Sequence, residues 1–462
     1  MSRGSSPTPR PAARIAPMPK PRRLIAALAL ALAVAGADRA RAETAAPDAA
    51  GAALSSTAER LFAAARPKLL QIRTLLAATG RQSSLGSGFL VGDDGLAVTN
   101  YHVVSQSALE PGTFRLEYVA ADGSRGEMKL LAIDLPNDLA LVRIDKGGGA
   151  FFTLAEAAGA LAKGERLYSM GNPLDLGFTI VEGTYNGLVE RSYNERIHFT
   201  GALNPGMSGG PAFTAEGRLA GINVAKQLGG ELISFLVPAR FAQALIERAR
   251  GAEPLQPAQF RAEIGRQLAQ WQARLYESVA ERGFRPVGFG PYQAPESAAP
   301  WFTCWAQTNA GQVPKPRASV DSTNCNSDTR LFIANDLNTG LIHLAHAYVR
   351  AVDLNQFQFA AFLSQQSQPS WIGGFSRKWL TQQRCHEDFV VVAPQGEHPA
   401  LRAVWCARAY RDFADLYDVS VTAITEDRGS EALVSRLGLQ AVGYDDAVKL
   451  ARRFLEEVQW SR

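Results

Sequence analysis

Three short segments carry residue types that together can open an amide bond. His102 stands in Thr99-Asn100-Tyr101-His102-Val103-Val104, Asp138 opens Asp138-Leu139-Ala140-Leu141-Val142, and Ser208 lies in Asn204-Pro205-Gly206-Met207-Ser208-Gly209-Gly210-Pro211. A serine hydroxyl is a weak nucleophile unless a base takes its proton and later returns it to the leaving amine. That base needs a carboxylate to fix its tautomer and to stabilise its cation. His102, Asp138 and Ser208 supply one group of each kind. Charge would then grow on the carbonyl oxygen of the bond being cut, so backbone N–H groups must be aimed at it. The glycines around Ser208 let the chain turn tightly enough to do so, which makes the Gly206 and Ser208 amides the expected oxyanion donors.

Each piece has an ordinary structural reading when taken alone. A histidine after a strand is commonly packed or surface-exposed, an aspartate before an alternating strand is commonly a turn residue, and a Gly-Ser-Gly-Gly stretch is commonly a loop. Their joint occurrence beside regularly spaced strands is what removes those readings. From Leu69 to about Pro238 the chain runs in short β-branched or apolar stretches broken by Gly, Asp and Asn. Expected strands include Ser87 to Val91, Leu96 to Val104, Phe114 to Val119, Leu139 to Ile144, Arg166 to Met170, Gly217 to Val224 and Leu232 to Val237. Such spacing indicates an all-β barrel or sandwich architecture. Asp93-Asp94-Gly95 reads as a hairpin turn. Helices are expected from Thr57 to Arg66 and from Ala239 to Arg250. A third is expected from Ala258 to Arg282, where Phe260, Ile264, Leu268, Trp271, Leu275 and Val279 recur at spacings of three and four.

The 462 residues are too many for one typical core, and their 46% hydrophobic and 20% charged content is that of an ordinary globular chain. Lys20, Arg22 and Arg23 precede an apolar run from Leu24 to Gly36 and an Ala40-Arg41-Ala42 site, the pattern of a cleavable export signal over residues 1–42, with Met18 an alternative start. The run is shorter than the roughly 18 to 20 residues a spanning helix needs, so no stable membrane span is expected after cleavage. Residues 1–42 hold eight Lys or Arg against one Asp, so their removal turns the net charge of +4 to about −3. With no basic patch interleaved with aromatics, nucleic acid is not an expected partner. Cys304, Cys325, Cys385 and Cys406 are an even set in a chain that carries an export-signal pattern, which predicts two disulfides; pairing neighbours in sequence is preferred among three connectivities. A zinc site is the competing reading, against which no Cys-x-x-Cys occurs.

Beyond Pro257 the chain reads as mixed. A Pro-rich loop region to Pro316 is followed by expected strands at Leu341 to Val352, Phe389 to Val392, Arg402 to Tyr410 and Val419 to Ile424, then a helix from Asp445 to Gln459. His343 and His346 fall on opposite faces of the first of these, which argues against a metal pair.

The order His, Asp, Ser is that of the two-barrel hydrolases and differs from the α/β-hydrolase and subtilisin orders. On these residues, with Gln71-Ile72-Arg73-Thr74, Gly86-Ser87-Gly88-Phe89, Gly171-Asn172-Pro173 and Gly221-Ile222-Asn223, the stretch 57–250 resembles the HtrA/Deg group of trypsin-like serine proteases. The resemblance implies two six-stranded antiparallel β-barrels with the triad between them, and hydrolysis of protein or peptide substrates without a cofactor or metal. Met207 and Thr200 stand where that group commonly has Asn and Asp, and no PDZ-type carboxylate-binding loop follows. Gly201, Ala202, Gly221 and Asn223 are the expected walls of the primary pocket, suited to small or medium apolar side chains. The expected organisation is a signal over 1–42, a linker over 43–56, a protease domain over 57–250, a linker and amphipathic helix over 251–283, and a smaller α+β disulfide-containing domain over 284–462. Two alternatives stay open: a catalytically inactive protease-fold binding module, and an envelope interaction protein whose C-terminal domain carries the function.

Overall fold

A computed structural model describes residues 55–153, 161–226, 232–250, 255–369, 371, 376–391, 398–426 and 428–461. The expected signal over 1–42 and the expected linker as far as residue 54 lie outside this set, while Ser55 and Ser56 cap and open the first helix. Helix α1 (Ser56–Ala65) leads into β1 (Leu69–Leu76), β2 (Gln82–Leu90), β3 (Leu96–Thr99), helix α2 (Tyr101–Leu109), β4 (Phe114–Ala120), β5 (Arg125–Asp134) and β6 (Leu139–Ile144). The six strands close into an antiparallel barrel in the order β1-β2-β3-β6-β5-β4. Strands β7 (Arg166–Gly171), β8 (Thr179–Leu188), β9 (Ile197–Thr200), β10 (Pro211–Phe213), β11 (Leu219–Lys226) and β12 (Ser234–Pro238) close a second, in the order β10-β11-β12-β9-β8-β7. Helix α3 (Ala239–Arg250) follows and buries Ala239, Ala242, Leu245 and Ile246. The hairpin at Asp93-Asp94-Gly95 forms, with Phe89 opposite Val98.

One expected strand is corrected. The run Leu96 to Val104 stops as a strand at Thr99, and His102 sits in the first turn of α2. Val103 and Val104 favour a strand by propensity, but Tyr101, Val104, Ser105 and Ala108 are all buried, and their spacing of three and four is helical. Tertiary burial decides between the two.

Helix α4 (Phe260–Arg282) joins the barrels to a second sheet system. After it come β13 (Phe284–Phe289), β14 (Tyr292–Ser297), β15 (Phe302–Thr308), β16 (Ala318–Ser327), β17 (Leu331–Ala334), β18 (Leu337–Thr339), β19 (Ile342–Ala351) and helix α5 (Gln356–Gln366). The chain ends with β20 (Arg384–Val390), β21 (Leu401–Ala409), β22 (Leu416–Thr425), β23 (Glu431–Gly443), helix α6 (Tyr444–Glu456) and β24 (Gln459–Trp460). Seven strands form an antiparallel sheet ordered β15-β16-β19-β23-β22-β21-β20, and β13-β14-β24 form a small second one. The expected loop region to Pro316 therefore holds three strands. Pro291, Pro300, Pro314 and Pro316 fall between strands, whereas Pro286 and Pro295 lie opposite each other within β13 and β14.

Each edge strand of the large sheet is stapled to its inner neighbour. Cys304 pairs with Cys325 across β15 and β16, and Cys385 with Cys406 across β20 and β21. His343 and His346 do point to opposite faces: His343 meets Asn326, while buried His346 bridges Ser435 and the Pro295 carbonyl.

The two halves share a core. Phe260, Ile264, Leu268, Trp271, Leu275 and Val279 of α4 are buried in one apolar cluster with Tyr101, Val104 and Ala108 of α2 and with Leu437 and Leu439 of β23. At about 1.5–3 kcal/mol per fully buried large apolar side chain, six of them contribute on the order of 10 kcal/mol, comparable with the net stability of a whole domain. The helix expected as part of a linker is thus packed between two folded parts. Among the described residues no helix is long and apolar enough to cross a membrane.

Candidate active site

An α-helix leaves its first N–H groups without partners inside the helix. Asn100, which precedes α2, makes no side-chain cap. Asp138, at the head of the neighbouring strand β6, does that work. Its carbonyl accepts from the Tyr101 N–H at 3.1 Å and from Asn100 Nδ2 at 2.8 Å, and its carboxylate Oδ1 accepts from the His102 N–H at 2.9 Å. The other carboxylate oxygen, Oδ2, lies 2.7 Å from His102 Nδ1. Asp138 reaches this position with φ of 58°, a left-handed conformation that aspartate tolerates better than most residues. One residue therefore caps the helix and holds the imidazole.

His102 is pulled two ways. Burial lowers its affinity for a proton, but the charge of Asp138 and the hydrogen bond to it together outweigh burial and raise its pKa above the ordinary 6.5. Because a carboxylate only accepts, the proton between them belongs to Nδ1, and Nε2 is left as the acceptor in the neutral ring.

The Ser208 loop is held by its carbonyls. Pro205 O accepts from the Leu174 N–H at 2.9 Å, Gly206 O from Ser87 Oγ at 2.7 Å, and Ser208 O from the Ser87 N–H at 2.7 Å. In a planar trans peptide the N–H points opposite the C=O, so anchoring Pro205 O on Leu174 turns the Gly206 N–H the other way. Gly206 has φ of 97°, and a Cβ there would meet the Asn172 carbonyl at 2.4 Å, so only glycine fits this turn. Behind the loop, Asn223 Nδ2 donates to Met207 O at 3.1 Å and to Met170 O at 2.9 Å. Met207 itself is buried with Leu167, Phe199 and Leu203, so its side chain is core.

Ser208 Oγ donates to the Val224 carbonyl at 2.8 Å. Among the described residues it makes no hydrogen bond to His102. Catalytic hydrogen bonds of this kind are often unformed before substrate arrives. A cavity of about 450 Å³ opens onto His102, Asp138, Gly206 and Ser208, with Leu85, Leu203, Val224 and Phe332 among its apolar walls.

Of the expected pocket walls, Asn223 borders this cavity, whereas Gly201, Ala202 and Gly221 do not. Gly221 is paired inside the second barrel with Ala212 and Pro238, and the Gly201 carbonyl accepts from Ser234 Oγ. Thr200 accepts from Asn186 on the barrel rim. Ser87, Tyr101 and Phe332 escaped the reading of the sequence. Ser87 sits inside the Gly-Ser-Gly-Phe motif and Tyr101 beside His102, so both had a local signal; Phe332, 230 residues downstream of His102, had none.

Residues 86–222 match the family model described as the trypsin-like peptidase domain. Among curated proteins, the chain is 31% identical over 180 residues to the "Probable periplasmic serine endoprotease DegP-like" of a Marinomonas species, covering 37% of this chain and 36% of that protein. It is 32% identical over 176 residues to the protein of the same name from Brucella suis, covering 36% and 33%. The chain thus spans about a third of the length of these relatives. The solved structure of Deg5 aligns at 24% identity and a TM-score of 0.37, covering 43% of this chain and 96% of that one.

Proposed function

We propose that this chain, which carries a trypsin-like peptidase domain of the HtrA type, is an exported serine endopeptidase that cuts protein substrates through an acyl-enzyme. The observation that carries the reading is the His102 and Asp138 pair at 2.7 Å, set in the same cavity as Ser208 and the Gly206 turn. Ser208 attacks the carbonyl carbon, His102 Nε2 takes its proton and delivers it to the leaving amine, and Asp138 stabilises the imidazolium between the two steps. The Gly206 and Ser208 amides hold the oxyanion; one such donor is worth about 3–4 kcal/mol of barrier. Water then repeats the sequence on the ester. Before attack, Ser208 Oγ must leave the Val224 carbonyl and turn to His102, a rotation about one side-chain torsion between staggered positions.

Export is supported by the leader pattern and by the two disulfides, which persist in oxidising compartments. Both relatives described above are named periplasmic. In this reading residues 57–250 are the peptidase domain and 284–462 a second domain docked on it. The hydroxyl held by Val224 favours one rival, an inactive binding module. The wild-type chain and Ser208→Ala are compared for labelling by a fluorophosphonate and for degradation of unfolded casein. Wild type should do both and the variant neither; a folded wild type that does neither overturns the proposal.

A further inference from the structure

The cavity beside Ser208 is walled on one side by a residue from outside the barrels. Phe332 lies on β17, in the short hairpin that β17 makes with β18. Its ring meets the His102 imidazole edge to face at 5.9 Å and the Tyr101 ring at 6.2 Å. Side chains alternate along a strand, so Leu331 and Ile333 turn into the shared core while Phe332 faces the cavity. The hairpin is fastened. Tyr101 Oη donates to the buried Ile333 carbonyl at 2.8 Å, and Trp379 Nε1 and Ser376 Oγ donate to Asp336 at its turn. Helix α2 is gripped at its far end too: Arg261 Nη2 of α4 donates to the Leu109 carbonyl at 2.6 Å, and Lys378 Nζ to Glu110 at 2.6 Å.

Resting on the endopeptidase reading above, we propose that Phe332 and Leu85 form an apolar subsite flanking His102, through which the C-terminal domain selects substrates bearing a large apolar side chain at one position near the cut. A plug would fill the cleft and be buried in it. Phe332 is only half-buried, and the cavity it borders still holds about 450 Å³, within the size range of ligand sites. An aromatic ring on a fastened strand presents apolar area at little cost in side-chain freedom, the property that makes such residues recognition anchors.

The test uses the full chain and peptides in which each of three positions on either side of the cut carries Gly or Leu. Phe332→Ala should lower the Leu-over-Gly ratio of kcat/KM by about tenfold or more at one position, in line with the 10- to 200-fold worth of small apolar differences in a pocket. The loss should fall on the Leu peptides, with the all-Gly peptide as the reference against which it is read. Phe332→Leu should keep most of the preference, which separates a subsite from a folding defect. An equal loss on every peptide would make Phe332 a support for His102 only; a gain on every peptide would make it a plug; unchanged ratios would remove it from recognition. Each of these overturns the proposal. A wild type that does not label instead defeats the endopeptidase reading, independently of Phe332.

Discussion

Asp138→Asn changes one atom and should disable the site for a reason visible in its hydrogen bonds. Both carboxylate oxygens are used: Oδ1 accepts from the His102 backbone N–H and Oδ2 faces Nδ1. An asparagine has one acceptor oxygen and one donor NH₂. The backbone N–H is a fixed donor, so the amide oxygen must face it, which leaves the NH₂ facing Nδ1. Two donors cannot meet, so Nδ1 must become the acceptor and the ring proton must move to Nε2. The nitrogen that should receive the Ser208 proton is then already protonated. A triad with the wrong tautomer loses about 10⁴ in kcat, or about 5.5 kcal/mol of barrier. The helix cap survives, since an oxygen still receives the His102 N–H, so the melting temperature should move by only a few degrees. The acid limb of kcat/KM adds a second readout. A base must be neutral to act, and His102 has its pKa raised by Asp138, so the wild-type limb should lie above pH 6.5. Losing the carboxylate removes both raising influences, and the residual activity should titrate at lower pH. The assay is kcat/KM on a peptide amide from pH 5 to 10, with nitrogen NMR of the imidazole to read the tautomer. A folded Asp138→Asn enzyme within tenfold of wild type at pH 8 would refute the reasoning.

Two further outcomes follow from the same geometry. Gly206→Ala should lose about 10²- to 10³-fold in kcat with KM little changed, because the Cβ cannot pass the Asn172 carbonyl and the peptide must turn its N–H out of the oxyanion site; unchanged kcat would show that this amide is not used. His346 is neutral in the folded protein, with burial as the main cause holding its pKa down to about 4. Its Nε2–H donates to the Pro295 carbonyl and Nδ1 accepts from Ser435. Its unfolded pKa is the higher one, so the stability it confers is present above about pH 6.5 and is lost as pH falls towards 4, by up to roughly 3 kcal/mol. Chemical denaturation between pH 4 and 7.5 should show this slope, and His346→Gln should flatten it; an unaltered slope in the variant would assign the acid sensitivity elsewhere.

The barrels were legible because their strands are short apolar or β-branched runs broken by Gly, Asp or Asn, and because the chemistry sits on local motifs at their ends. The C-terminal sheet was less so. Its central strand β23, Glu431–Gly443, is buried on both faces for most of its length and lacks the alternation that marks a half-exposed strand. The same holds for the site. His102, Asp138 and Ser208 belong to recognisable segments, whereas Phe332 reaches the cavity only through the docking of an entire sheet on α2 and α4. The expected pocket residues divide: Asn223 borders the cavity, whereas beside Gly201 and Gly221 stand the Phe199 ring, Leu236 and the Val237 carbonyl of the barrel's own interior.

The position of β23 in the large sheet also sets an order of events. It lies between β19 and β22, so the two flanking groups of strands have no common neighbour until residues 431–443 exist. A chain made from its N-terminus carries His102, Asp138 and Ser208 before the second barrel is complete, and the hairpin bearing Phe332 by Thr339, yet the sheet that supports that hairpin closes only about a hundred residues later. The Phe332 wall of the cleft is therefore supported only well after the barrels are made. A ribosome releasing this polypeptide segment by segment has made both barrels well before it has made the walled site.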